Sequence, residues 1–131
     1  MGLKYLWDTN AIIYYLQNNL SEANQNLMNE IINNHQPAIS SISQIELLCW
    51  RSATEKDTTI INSFISDSIV FELDNEIKLK TVEIRKHHGI KLPDSIIAAT
   101  AIVMDLTLIT NDNKAFKKIP ALKLLNPIEV K

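Results

Sequence analysis

The chain of 131 residues contains one cysteine, Cys49, so no internal disulfide can form and the sequence reads as that of an intracellular, cytoplasmic protein. It has two glycines and four prolines and no stretch rich in Gly, Ser or Pro that would mark a linker, so one domain over 1–131 is expected. No apolar run approaches the roughly 18 residues of a membrane span. The start MGLKYLWDTN lacks the basic and apolar regions of a signal peptide. Membrane insertion and export are therefore not expected. Positive charge is not in excess either: 13 basic against 15 acidic side chains give a formal charge of -2. A polyanion must then be held by a local patch or by metal ions. Hydrophobic residues at 46% and charged residues at 21% exclude disorder as the resting state.

Apolar runs of strand length alternate with helical patterns along the chain. The strand candidates are Leu3 to Trp7, Pro37 to Ser40, Ile69 to Leu73, Thr107 to Ile109 and Leu122 to Leu125, short and apolar throughout as in a buried parallel sheet. Helices are expected over about 10–18, 21–34, 42–52, 54–66, 75–88 and 94–104, with a short turn near 112–117. Ser21 with Asn24, Thr54 with Asp57, and Asp74 supply N-cap chemistry, and Gly89 suits the position after the fifth helix. The pattern predicts an α/β fold, a three-layer α/β/α sandwich around a parallel sheet of about five strands. Such sheets bind ligands outside the carboxyl ends of their strands. Acids stand there or at a helix start in Asp8-Thr9-Asn10, Ser40 to Glu46, Pro93-Asp94-Ser95 and Thr110-Asn111-Asp112.

Each acid has an ordinary explanation of its own. Asp8 can cap the helix that follows, Asp94 can complement a helix dipole after Pro93, and Asp112 can form a turn. Glu46 is different, because at about 100° per residue it falls within about 40° of Ile42, between Cys49 and Trp50 in an apolar stripe. A charge buried there needs a cation, hydrogen-bond donors or a proton, and a structural salt bridge is one way to meet that need. Taken together, the four acids are expected at one edge of the sheet. Their mutual repulsion calls for raised pKa values or bound divalent cations. Mg²⁺ or Mn²⁺ suits carboxylate oxygens and leaves room for phosphate, and a site of that kind hydrolyses phosphodiesters. Zinc fits poorly: His87 and His88 are adjacent and point apart on a helix, His35 is distant and Cys49 stands alone. Arg85-Lys86-His87-His88 complements the dipole of a helix end, with phosphate contact as a second use.

The segments LWDTN at 6–10, SSISQIELL at 40–48, KLPDSIIAATA at 91–101 and LITNDNKAF at 108–116, in this order, resemble the PIN-domain family, in particular its VapC-type toxin ribonucleases. The resemblance implies a Mg²⁺-dependent endoribonuclease acting on RNA, with Asp8 and Asp94 as principal metal ligands and Glu46 and Asp112 completing the pocket directly or through water. It implies that Asn10 and Thr110 orient those ligands. The family often places an acid before the phenylalanine of the last motif; here Ala115 precedes Phe116, so the fourth carboxylate rests on Asp112. Helices 11–16 and 42–51 carry apolar residues nearly all round, and each needs a second cover beyond the sheet, from neighbouring helices or from another chain. The family implies a homodimer and an antitoxin protein that blocks the pocket. A non-toxin RNA-processing nuclease of the same fold and a non-catalytic binding module are the alternatives. Phosphoryl transfer through an aspartyl intermediate is a further rival, but Asn10 stands where that chemistry asks for a second aspartate.

Overall fold

A computed structural model describes residues 2–128. Its strands are β1 (Tyr5–Trp7), β2 (Ala38–Ser40), β3 (Ile69–Phe71), β4 (Thr107–Ile109) and β5 (Leu124–Leu125). They form one sheet in the order β3-β2-β1-β4-β5, and every neighbouring pair is parallel. The helices are α1 (Thr9–Leu16), α2 (Glu22–Asn34), α3 (Ser41–Leu48), α4 (Glu55–Asp67), α5 (Asn75–His88), α6 (Leu92–Val103) and the single turn α7 (Asn113–Phe116).

Successive strand residues point to opposite faces, and each face is buried under its own helices. Leu6, Ala38 and Leu108 face one cluster with Ile77 and Ile84 of α5, Ile97 and Ala98 of α6, and Phe116. Trp7, Ile39 and Ile109 face the other, with Ala11 and Ile12 of α1, Met28 of α2, Leu47 of α3 and Phe64 of α4. The expected three-layer α/β/α sandwich is therefore what the chain forms.

Capping chemistry sets most helix ends. Ser21 Oγ accepts from Asn24 N at 3.2 Å, Thr54 and Asp57 form a reciprocal capping box, and Asp74 Oδ1 accepts from Ile77 N at 2.9 Å. Gly89 ends α5 in the left-handed region at φ 62°, as expected of a glycine there. Some expected bounds move inward. Leu3 lies 37% exposed ahead of β1, and α3 stops at Leu48, where Cys49 closes the helix and Trp50 N turns back onto Leu47 O at 3.3 Å.

One reading of the apolar helices needs correction, and one left open between neighbouring helices and another chain resolves for α1. Glu46 does not lie in a buried stripe: it is exposed, and α3 instead buries Ser43 and Leu47. Ser43 Oγ lies 3.0 Å from Thr9 Oγ1 on the inward face, and Glu46 stands at its rim, where Oε1 meets the same hydroxyl while the carboxylate keeps its contact with solvent; Ile45 and Leu48 are left 57% and 56% exposed. On α1 the second apolar face is covered from within the chain. Ile13, Tyr15 and Leu16 pack against the Trp7 cluster, with the Trp7 and Tyr15 rings 5.4 Å apart, and Tyr14 is left exposed beside them.

Candidate active site

The last paired residues of the two central strands, Trp7 and Ile109, deliver Asp8 and Thr110 side by side at the carboxyl edge. Asp8 N donates to Ile109 O at 2.8 Å, continuing the sheet by one bond. Asp8 then caps α1, its Oδ1 accepting from Thr9 N at 2.9 Å while Oδ2 accepts from Thr110 Oγ1 at 2.8 Å. The same Thr110 oxygen accepts from Asp112 N at 3.0 Å. One hydroxyl thus fixes a carboxylate from the β1 end to the backbone that carries another. Asp112 Oδ1 accepts from Lys114 N at 3.2 Å and caps α7.

Glu46 reaches the same place from α3, and its Oε1 accepts from Thr9 Oγ1 at 2.6 Å. Asp94 stands in the first turn of α6 beside Pro93. The four acids line one cleft of about 430 Å³ together with Asn10, as do Thr9, Ile13, Trp50, Lys91 and Pro93. Thr110 is buried behind the cleft and touches it through Asp8. Asn10 is exposed, and its carbonyl accepts from Asn111 Nδ2 at 3.5 Å. Four residues of the site were not singled out by the sequence: Thr9 as the donor to Glu46, Ile13 and Trp50 as an apolar wall, and Lys91 as a cation beside the acids. The adjacency of Thr9 to Asp8 was the available signal for the first; the others follow from packing.

Burial pushes the Asp8 carboxyl up to about 6, against the pull of its hydrogen bonds from Thr110 and Thr9, and the charges of Asp94 and Glu46 add to the rise. Asp94 is raised by burial and by Asp112 and Glu46, with Lys91 pulling it down. Among the described residues ion pairs join Lys80 to Glu83 and Lys123 to Asp105, and none involves an acid of the cleft. The salt bridge considered for Glu46 is thus not formed there.

Every charged donor of the cluster is a carboxylate oxygen, the chemistry of a hard divalent cation; His87 and His88 line a separate cavity with Lys80. Among the described residues no three His, Cys, Asp or Glu side chains are gathered closely enough to enclose a metal ion. Mg²⁺ does not require that, since it is commonly held by one or two carboxylates and keeps several waters. The donor set fits Mg²⁺ on those terms.

Among the described residues no helix is long and apolar enough to cross a membrane. In comparisons with known proteins, the PIN domain family model matches residues 5–122. The chain is 30% identical to ribonuclease VapC2 of Rickettsia felis and 27% identical to the tRNA(fMet)-specific endonuclease VapC of Salmonella typhimurium, over 93% of this chain and 96% of each relative. Among solved structures it resembles DNA-bound VapBC from Salmonella typhimurium, with a TM-score of 0.81, 26% identity and coverage of 95% of this chain and 98% of that one. VapBC2 from Rickettsia felis gives 0.79 and 28%, with 96% and 98% covered. The likeness runs nearly end to end and spans all four acidic segments: the chain belongs to the PIN-domain family, in its VapC-type group.

Proposed function

We propose that this protein is a Mg²⁺-dependent endoribonuclease that hydrolyses RNA phosphodiester bonds, the toxin of a toxin–antitoxin pair. The observation that carries the reading is one cleft in which four acids from distant segments meet, none of them ion-paired among the described residues, and in which burial holds Asp8 at about 6. A scaffold has no use for that repulsion, and a divalent ion relieves it. The names ribonuclease and endonuclease borne by its VapC relatives support hydrolysis of RNA.

Asp8 and Asp94 hold the cation, with Mn²⁺ able to replace Mg²⁺, and Glu46 and Asp112 complete the set directly or through water. When bound, the ion supplies the activation of a water for attack on phosphorus and the neutralisation of charge on the departing oxygen. The chain's own groups prepare the site. Thr110 and the Thr9 amide donate to both Asp8 oxygens and favour the ionised carboxylate at the orientation seen. Thr9 holds Glu46 over the cleft, and Asn10 lines the approach beside it. No nucleophilic side chain is needed and no covalent protein intermediate forms.

The structural relatives were solved as VapBC assemblies, and a further one from Klebsiella pneumoniae as a toxin–antitoxin complex. An antitoxin protein is accordingly the partner here, and the exposed Ile45 and Leu48 offer an apolar face for it or for a second copy in a homodimer. The test is expression of the wild type and of Asp94→Asn in a bacterial host, with sequencing of cleaved RNA ends. Mg²⁺-dependent cuts are expected from the wild type alone; equal cutting by both proteins removes the assignment. A non-catalytic binding module is the second reading, favoured by the lack of a three-ligand cluster among the described residues. Calorimetry that finds no Mn²⁺ or Mg²⁺ binding in the millimolar range selects it.

A further inference from the structure

The acids account for one wall of the cleft and leave another unexplained. That other wall is apolar and comes from Ile13 and Trp50, the one aromatic ring among the residues that line the cleft. Trp50 is half-buried: part of the indole packs against the cluster that contains Leu47, and part faces the opening. Its backbone is held in a turn, with Trp50 N donating to Leu47 O at 3.3 Å and Trp50 O accepting from Ala53 N at 3.4 Å. A flat ring fixed at one side and open at the other, beside a cation-seeking acid cluster, forms two parts of a nucleotide's complement. Lys91, exposed at the same cleft, supplies the third, a positive charge for a backbone phosphate.

We propose that Trp50 is a substrate-positioning residue on which an unpaired RNA base stacks, setting the adjoining phosphodiester over the carboxylates. The proposal rests on the ribonuclease reading and adds to it the residue that seats the substrate beside the acids. The physical need is clear. A cleft lined by four acids offers the polyanion only one lysine besides whatever cation the acids hold, so a contact that carries no charge adds affinity that the acids do not oppose. Base stacking on an aromatic ring is such a contact, sequence-tolerant and worth roughly 5- to 100-fold in binding. A paired base within a helix has no free face to offer, so the site selects loops and single strands over duplex.

The chain has two tryptophans, and the other, Trp7, is 1% exposed and packed between Tyr15 and Phe64. Intrinsic fluorescence therefore reports Trp50 on addition of RNA. An unstructured ribo-oligonucleotide is titrated into the full-length protein in EDTA, where it is not cut, with a duplex of equal length as control. Saturable quenching by the single strand and weak quenching with duplex are expected, with Trp50→Leu, which removes the reporter, as the control that assigns the signal to Trp50. Cleavage kinetics with Mg²⁺ give the second reading: Trp50→Ala raises KM about tenfold or more with kcat within about twofold, and Trp50→Phe recovers most of the loss. KM unchanged in Trp50→Ala overturns the proposal, as does the absence of saturable quenching in the wild type. If Trp50→Ala spares cleavage but abolishes neutralisation by the antitoxin, the indole is a protein contact and the proposal is wrong. If the wild type cuts no RNA in Mg²⁺ or Mn²⁺, the nuclease reading fails separately, and the titration alone then upholds or overturns base stacking.

Discussion

Replacing Asp8 by asparagine should make the metal-free protein more stable above neutral pH and abolish its activity. Moving a carboxyl from 3.8 to about 6 corresponds to about 3 kcal/mol at 1.36 kcal/mol per pH unit. The sign follows from which state binds the proton more tightly. The folded chain does, so stability from protonated Asp8 is fully present below about 3.8 and is lost as pH rises through about 6. Above that pH the folded state carries a buried, unpaired charge. The Asp8→Asn amide removes the charge, and the pull of Thr9 N and Thr110 Oγ1 on the ionised carboxyl is already contained in the rise to about 6. The gain above that pH therefore approaches about 3 kcal/mol, or roughly 10 °C in Tm for a domain of this length. Thermal melts of both proteins in EDTA from pH 4 to 8 provide the assay. The Tm difference should open between pH 4 and 7 in favour of Asp8→Asn, and Mg²⁺ should close it by stabilising the wild type alone. A difference independent of pH, or a variant that melts lower throughout, refutes the reasoning.

Asp94→Asn should lower Mg²⁺-stimulated cleavage at least about 100-fold, with circular dichroism and Tm near wild type, since its side chain is only half-buried. Glu46→Gln should also reduce cleavage, yet change stability by less than about 0.5 kcal/mol in urea denaturation, because Glu46 is exposed and its one described partner is a hydroxyl that the amide can still accept from. Thr110→Val removes the donor that pulls the Asp8 acid down, so in EDTA the loss of stability that accompanies ionisation of Asp8 should move to higher pH. Thermal melts across pH in which that midpoint does not move count against the role. At Gly89 a Cβ meets nothing within 4 Å, so Gly89→Ala should cost only the left-handed backbone, about 1 kcal/mol by chemical denaturation.

Legibility in the sequence follows the range over which each signal acts. β4 at Thr107–Ile109 and α5 at Asn75–His88 match the expected bounds, because their ends are set by neighbours in the chain: Asp74 before α5, Gly89 after it. The α3 region does not behave so. Its hydrophobic periodicity places Glu46 inward with Ile42, whereas the helix buries Ser43 and Leu47 and leaves Glu46 at the rim of the cleft, held by Thr9 from 37 residues away. Periodicity cannot register a hydroxyl that a distant segment brings to the helix. The acids are findable because they follow strands or open helices, and strand ends are where such sheets gather function. Periodicity likewise assigns Trp50 to an apolar stripe, and only the early end of α3 at Leu48 turns it toward the cleft.

The site and the core depend on the same strand pairing. Trp7 opposite Ile109 is the last rung between β1 and β4, and both side chains are buried in one cluster. The next residue of each strand is then Asp8 or Thr110, brought within 2.8 Å of each other without any further device. A slip of one residue would send Trp7 and Ile109 to opposite faces and separate carboxylate from hydroxyl in the same movement. Leu6, Trp7, Leu108 and Ile109 are at most 1% exposed, which makes such a slip expensive, since each large side chain contributes roughly 1.5–3 kcal/mol through burial. A domain this small can therefore sustain an acid raised to about 6 at its edge. The apolar pairs that hold the acid in place are far harder to displace than the buried carboxylate is to relieve.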